Sequence, residues 1–193
     1  MSASERDEAK RAAWRQDVQQ VPAATLVFVD ESGSHTSLTP LYGWAPKNER
    51  ACGVTPRHKG QNTTILGALS PQGVQAAMTL AGAADTMAFE GFIEQVLVPT
   101  LEPGQTVVMD NLSIHKSHTT RQLIENCGCT LLFLPAYSPD FSPIEQAWSK
   151  LKAHLRRVGA RASEALEEAI GDGLQLITPQ DAQGWFRHCG YSC

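Results

Sequence analysis

The second half of the chain alternates short apolar runs with stretches of helical spacing, and that alternation restricts the fold more than any other feature. "QTVVMD" (105–110) is a β-branched run ending in Asp110. "SHTTRQLIENCG" (117–128) reads as a helix stopped by Gly128, "CTLLFLP" (129–135) as a strand, and Pro143 to Arg157 as a helix. Strands separated by helices pair in parallel, because parallel neighbours need a long crossover rather than a tight turn. The first half reads differently. "ATLVFVD" (24–30) is a buried strand ending in Asp30, 41–56 a hairpin turning at Pro46-Lys47-Asn48, and 62–82 two strands joined at Ser70-Pro71-Gln72-Gly73. A helix over 85–101, with Phe89, Phe92, Ile93, Val96 and Leu97 at helical spacing, joins the halves. The expected fold is α/β: a mixed sheet of three antiparallel strands followed by α-β-α-β-α, flanked by helices. Residues 4–20 read as a polar helix within a linker-like segment 1–23; the body covers 24–191, with a C-terminal helical part at 162–191.

In a sheet of this kind, residues at the carboxyl ends of parallel strands face a shared crevice. Asp30 and Asp110 both close strands in this reading, and Glu145 opens the helix after the last one. Carboxylates brought that close repel one another unless a cation neutralises them. Ligand sets made only of oxygen select hard cations such as Mg²⁺ or Mn²⁺. Two such ions about 4 Å apart can activate a water or hydroxyl and stabilise the leaving oxygen of a phosphodiester. Glu31 is a rival to Asp30, but alternation along the strand turns the two to opposite sides.

Local grammar gives Glu145 a second role. Ser142-Pro143-Ile144-Glu145 spells a capping box, with Ser at the N-cap, Pro at the first helical position and Glu three residues on. The roles compete, because a carboxylate bent back to its own helix cannot reach the aspartates. The expectation is that Glu145 faces Asp110 while Ser142 caps alone. Further along, Ile144, Trp148, Leu151 and Leu155 share a core-facing side, and Glu145, Ser149, Lys152 and Arg156 share the neighbouring one. Asp140 fits turn chemistry ahead of the helix.

A net charge of −4 argues against a protein that merely coats nucleic acid. An enzyme acting on nucleic acid would need local basic patches, for which Arg57-His58-Lys59 and the series Lys150, Lys152, Arg156, Arg157 and Arg161 are candidates. Five cysteines without zinc-site spacing read as reduced thiols. No run approaches the roughly 18 apolar residues of a membrane span, and the N-terminus has no apolar signal core, so a cytoplasmic protein with no membrane role is expected.

Thirty-four residues lie between Asp110 and Glu145. With that spacing, "FVDESG" (28–33), "YGWAPKNER" (42–50), "VVMDNLSIHKS" (107–117), "LPAYSPDFSPIEQAWSKLK" (134–152) and the closing "GY" (190–191) resemble the DDE transposases of the mariner superfamily, in its bacterial insertion-sequence branch. The resemblance implies an RNase H-like catalytic domain with Asp30, Asp110 and Glu145 as catalytic residues and metal ligands. The metal would be two Mg²⁺ ions, for which Mn²⁺ can substitute. It implies hydrolytic cleavage at transposon ends, followed by attack of the freed 3′-hydroxyl on target DNA at a TA dinucleotide. His115, Lys116, Tyr137, Lys152 and Arg156 become candidate DNA contacts, with His115 and Lys116 read alternatively as supporting the site, and Asn111 and Ser142 as supporting residues. Ser142 stands where the branch usually has Asn, and Ala136 where Pro is common.

The partners implied are double-stranded DNA and a second copy of the chain on it, in the nucleoid of a bacterial cytoplasm. Family members carry helix-turn-helix modules ahead of the catalytic domain, and the segment before residue 24 is too short for one. The chain then reads as the downstream product of a split or frameshifted transposase, whose helix-turn-helix part is separately encoded or joined by fusion, or as a truncated remnant. Two other readings stay open: a decayed or repurposed copy that binds DNA or a transposase without cutting, and an RNase H-like nuclease without strand transfer.

Overall fold

The computed structural model describes residues 6–58 and 60–192. Residues 4–5 of the expected N-terminal helix, Lys59 of the expected basic patch and Cys193 lie outside them. Five strands form one sheet in the order β3-β2-β1-β4-β5. They are β1 (Leu26–Ser34), β2 (Thr63–Ser70), β3 (Gly73–Ala81), β4 (Thr106–Met109) and β5 (Thr130–Phe133). β1 pairs antiparallel with β2, and β2 with β3. β4 lies parallel to both β1 and β5. The mixed RNase H-like order expected from the sequence is therefore present.

Side-chain alternation divides the core between the two faces of the sheet. Val27 and Val29 join Val107 and Met109 beneath α2 (Thr86–Phe92), which contributes Phe89 and Phe92. This helix continues through a π-helical turn, Ile93–Leu97, and a 3₁₀ turn, Val98–Thr100, so helical backbone does run across the segment read as 85–101. α3 (His118–Asn126) covers the same face through Ile124. Leu26, Phe28, Ile65, Leu69 and Val108 pack on the other face against α4 (Ile144–Val158), α5 (Ser163–Gln175) and α6 (Pro179–His188). α1 (Glu8–Val18), capped by Asp7, adds Val18 and the partly buried Trp14 there. Ile144, Trp148, Leu151 and Leu155 of α4 are buried as expected.

Two expectations fail. Residues 41–56 form no hairpin: they lack strand pairing and are exposed throughout, with Trp44 fully open to solvent. Turn residues flanked by apolar ones imitate a hairpin, but these side chains have no sheet face to bury against. Arg57 and His58 are exposed in the same segment. Asp30 does not close its strand either. β1 runs on through Glu31 to Ser34, held by antiparallel pairing of Asp30 with Gly67 and of Ser34 with Thr63. Parallel pairing with β4 does stop at Val29 opposite Met109. Asp30 is thus the first residue of β1 beyond the parallel ladder, and Asp110 follows the end of β4. Among the described residues no helix is long and apolar enough to cross a membrane.

Candidate active site

Where the parallel ladder of β1 and β4 ends, a crevice of about 410 Å³ opens. Asp30, Asp110 and Glu145 all line it, together with the loop from Leu134 to Ser142. Strand spacing of about 4.8 Å sets the two aspartates side by side. Glu145 reaches the crevice from the first turn of α4.

Glu145 takes no part in a capping box. No side chain caps α4, and Ser142 engages the helix only through its carbonyl, which accepts the Glu145 N–H at 3.2 Å. The expectation that Ser142 would cap alone is therefore corrected. Its backbone is extended, but the turn is closed by main-chain bonds. The same spelling succeeds elsewhere: Thr178-Pro179-Gln180-Asp181 forms a complete box at the start of α6. Neither carboxylate oxygen of Glu145 accepts a hydrogen bond among the described residues.

Each aspartate is held by its own donor. The Trp148 indole Nε1 donates to Asp30 Oδ2 at 3.0 Å. Trp148 sits one turn after Glu145, so a single helix carries one carboxylate and the donor that fixes another. Asp110 Oδ1 accepts from the Leu112 N–H at 2.9 Å and from His115 Nδ1 at 2.6 Å. The other ring nitrogen of His115 donates to Glu31 Oε2 at 2.8 Å. His115 has no exposed side-chain surface, and its ring lies 4.4 Å from that of Phe89. It cannot offer itself to a DNA phosphate, which corrects that reading. Its loop position suggested the surface, but Phe89 and the two carboxylates close around it.

The electrostatics separate the three acids. Burial pushes Asp30 up to about 7, and repulsion from Glu145 and Glu31 adds to this against the bonds from the Glu31 backbone and Trp148. Burial also raises Glu145, with the charge of Lys152 opposing and that of Asp110 reinforcing. Burial would raise Asp110 too, but the His115 and Leu112 bonds and the His115 and Lys116 charges hold it below its ordinary value. Burial disfavours charge on His115, yet its bonds to Asp110 and Glu31 raise it to about 9. At neutral pH His115 is thus an imidazolium between two carboxylates.

Of the remaining candidates, Asn111 ties the ends of two strands together, its Nδ2 donating to the Leu134 carbonyl at 2.7 Å. Lys116 is exposed. Tyr137, half exposed, lines the crevice with a left-handed φ of 57°. Lys152 and Arg156, partly exposed on α4, make no ion pair among the described residues. The rest of the basic series serves the fold: Lys150 binds Asp181 at 2.6 Å, Arg161 donates to the carbonyls of Thr36 and Leu38, and Arg157 contacts His154.

Glu31 and Trp148 are the functional neighbours that sequence reasoning missed. Alternation does separate Glu31 from Asp30, but His115 links Glu31 to Asp110 from the far face. Trp148 reads as core and is core; its i+3 offset from Glu145 was the available signal. Gly67 makes this placement possible. A Cβ there would stand 2.6 Å from Trp148 Cη2. Gly67→Ala is expected to destabilise by about 1–3 kcal/mol through overpacking and to shift the indole off Asp30. Denaturant melts and tryptophan emission would show it; a midpoint matching wild type would refute it.

The donor set suits hard divalent cations: oxygen-only ligands, one desolvated, and no Lys or Arg ion-paired with any of the three among the described residues. The three side chains do not converge into a closed cluster, since no group of three His, Cys, Asp or Glu residues stands at metal-binding geometry among the described residues. Carboxylates without a cation between them repel, and at Asp30 and Glu145 that repulsion adds to the larger effect of burial.

Comparison with known proteins identifies the family and the fold. A family model described as DDE superfamily endonuclease matches residues 25–167. The Tcb2 transposase of a transposable element in Caenorhabditis briggsae is 26% identical over 183 residues, covering 85% of this chain and 64% of the relative. The Tcb1 transposase of the same organism is 28% identical over 115 residues, covering 58% of this chain and 41% of the relative. The chain thus spans less than two thirds of these curated relatives. Among solved structures, the Mos1 mariner paired-end complex with Mn superposes with a TM-score of 0.69 at 15% identity, over 98% of this chain and 61% of that one. The Mos1 transposase catalytic domain with raltegravir and Mg gives 0.61 at 12% identity, over 94% of this chain and 85% of that one. These likenesses show the fold.

Proposed function

Because the chain belongs to the DDE superfamily endonuclease family, we propose that it is the catalytic part of a mariner-type transposase, of the bacterial insertion-sequence branch, acting at DNA in the cytoplasm. One observation carries the reading: Asp30, Asp110 and Glu145 line one crevice and, among the described residues, no cationic side chain except His115 pairs with any of them. These three would hold two divalent cations, Mg²⁺ or Mn²⁺. Such ions supply acidification of the attacking water or hydroxyl and stabilisation of the leaving oxygen. The relatives bear names that include transposase, and the Mos1 structures include paired-end complexes with Mn or Mg and a strand-transfer complex.

The chain's own residues prepare the site. His115 orients Asp110 and leaves Oδ2 free of hydrogen bonds. Trp148 likewise orients Asp30. Lys152 and Lys116, whose charges act on Glu145 and Asp110, offer positive charge for a phosphodiester backbone, with Arg156 further along α4 and Tyr137 lining the crevice. Cleavage at a transposon end frees a 3′-hydroxyl, which attacks a phosphodiester of target DNA, at TA. A homodimer on double-stranded DNA and an N-terminal helix-turn-helix part complete the proposed assembly.

The test uses DNA bearing the element's terminal repeats. Cleavage with Mg²⁺ or Mn²⁺, none with chelator and none from Asp110→Ala is the expected pattern. Equal cleavage by wild type and Asp110→Ala would sink the assignment. Cleavage without joining of 3′ ends would favour a nuclease.

A further inference from the structure

α1 belongs to the segment read from the sequence as a linker, yet it is bolted to the turn that delivers Glu145. Arg11 is almost fully buried, and its guanidinium grips Asp140 with two bonds, Nη1 to Oδ1 at 3.1 Å and Nη2 to Oδ2 at 2.6 Å. Asp140 lies in the 3₁₀ turn Pro139–Phe141, immediately before Ser142 and the start of α4. Arg11 also stacks over the Phe141 ring, its Cζ 4.0 Å from the centroid. Trp14, one turn of α1 further on, stacks on Phe141 with centroids 5.5 Å apart and planes 12° from parallel. From the other end of the chain, the Tyr191 hydroxyl donates to the Phe141 carbonyl at 2.6 Å.

Arg6 Nη2, 3.7 Å from Asp140 Oδ2, and the Arg15 guanidinium, 4.4 Å from the Phe141 centroid, add to this hold from the same N-terminal segment. α4 has no side-chain cap, and Ser142 and Glu145 are joined to the turn only through main-chain bonds. Whatever sets the Pro139–Phe141 turn therefore sets the first helical turn and the carboxylate on it. A two-pronged guanidinium fixes direction as well as distance, which a single ammonium does not. We infer that Arg11 is a positioning residue for Glu145, acting through Asp140 and the Phe141 turn. This rests on the reading of the crevice as a cation site. Through this contact α1 is part of the active-site scaffold, and a force applied to the chain ahead of α1 reaches the third carboxylate.

The experiment uses the 193-residue chain and Mn²⁺ alone, with two readouts: the Mn²⁺ dissociation constant and hydrogen exchange at the Phe141, Ser142 and Glu145 amides. Arg11→Gln should weaken Mn²⁺ binding about tenfold, in the range seen when groups supporting a metal ligand are removed. It should also speed exchange at those three amides. Asp140→Asn removes the charge from the same pair, and from the contact with Arg6, on the other side, and should give both changes. Arg11→Lys, with the charge but not the fork, should recover only part of the affinity. Arg121→Gln, which removes the exposed pair with Glu125 on α3, is the control and should change neither readout. Unchanged exchange in Arg11→Gln and Asp140→Asn, or equal loss of affinity in Arg121→Gln, overturns the inference. If wild type binds no Mn²⁺, the cation-site reading fails, while the exchange arm still decides whether Arg11 holds the turn.

Discussion

Asp30→Asn is expected to lower metal-dependent DNA cleavage by about a thousandfold or more and, at the same time, to make the metal-free protein more stable. Both effects come from one feature. Asp30 is desolvated, feels the charges of Glu145 and Glu31, and is pushed up to about 7. A carboxyl raised this way binds its proton more tightly folded than unfolded, so its cost to folding grows as pH rises from about 4 and is complete above about 7. At pH 8 the neutral amide avoids a penalty on the order of 3 kcal/mol. Its oxygen can still accept the Trp148 N–H, so the packing survives. It is a poorer cation ligand, which removes the activity. Thermal melts in chelator at pH 8, beside a cleavage assay, check the pair. An inactive variant that melts below wild type would mean that Asp30 is structural, and an active one would remove it from the catalytic set.

His115 gives the second large effect, with a pH signature. Its value rises from the ordinary 6.5 to about 9 in the fold. A raised basic group contributes stability that is fully present below about 6.5 and is lost as pH climbs through about 9. The amount is on the order of 2 to 3 kcal/mol once the half-open Asp110 is allowed for. His115→Leu should lose this contribution at pH 6, where Glu31 and Asp110 are left without a shared donor. By pH 9.5 wild type and variant should converge. Denaturant midpoints in chelator across pH 6 to 9.5 provide the measurement. A constant gap between the two proteins would show that His115 serves by shape and not by charge.

How much of this was legible in the sequence depended on the range of the interaction. Strand and helix identities came from β-branched runs and 3.6-residue spacing, which are local, and the split into an antiparallel and a parallel part followed from their alternation. The hairpin at 41–56 failed because turn residues and isolated apolar side chains are necessary for a strand pair but not sufficient; a face to bury against is also required. The continuation of β1 past Asp30 was hidden because Glu31 to Ser34 are polar, and their place in the sheet comes from backbone bonds to β2. The three acids were legible through motif spacing. What surrounds them was not, because each contact joins distant segments: Arg11 to Asp140, Trp148 to Asp30, His115 to Glu31. The capping-box spelling was sound at Thr178 and misleading at Ser142, where the carboxylate lies with the aspartates instead.

The unpaired stretch at 41–56 has a consequence for how the active site is distributed along the gene product. A break in the backbone there would sever no strand and no helix, because β1 ends before it and β2 begins after it. Seven residue pairs would still zip β1 to β2 across the cut. Asp30 would then belong to one polypeptide, and Asp110 and Glu145 to another. In this topology the trio of acids lining the crevice is a two-part object carried on one chain, with its seam on the outside of the molecule.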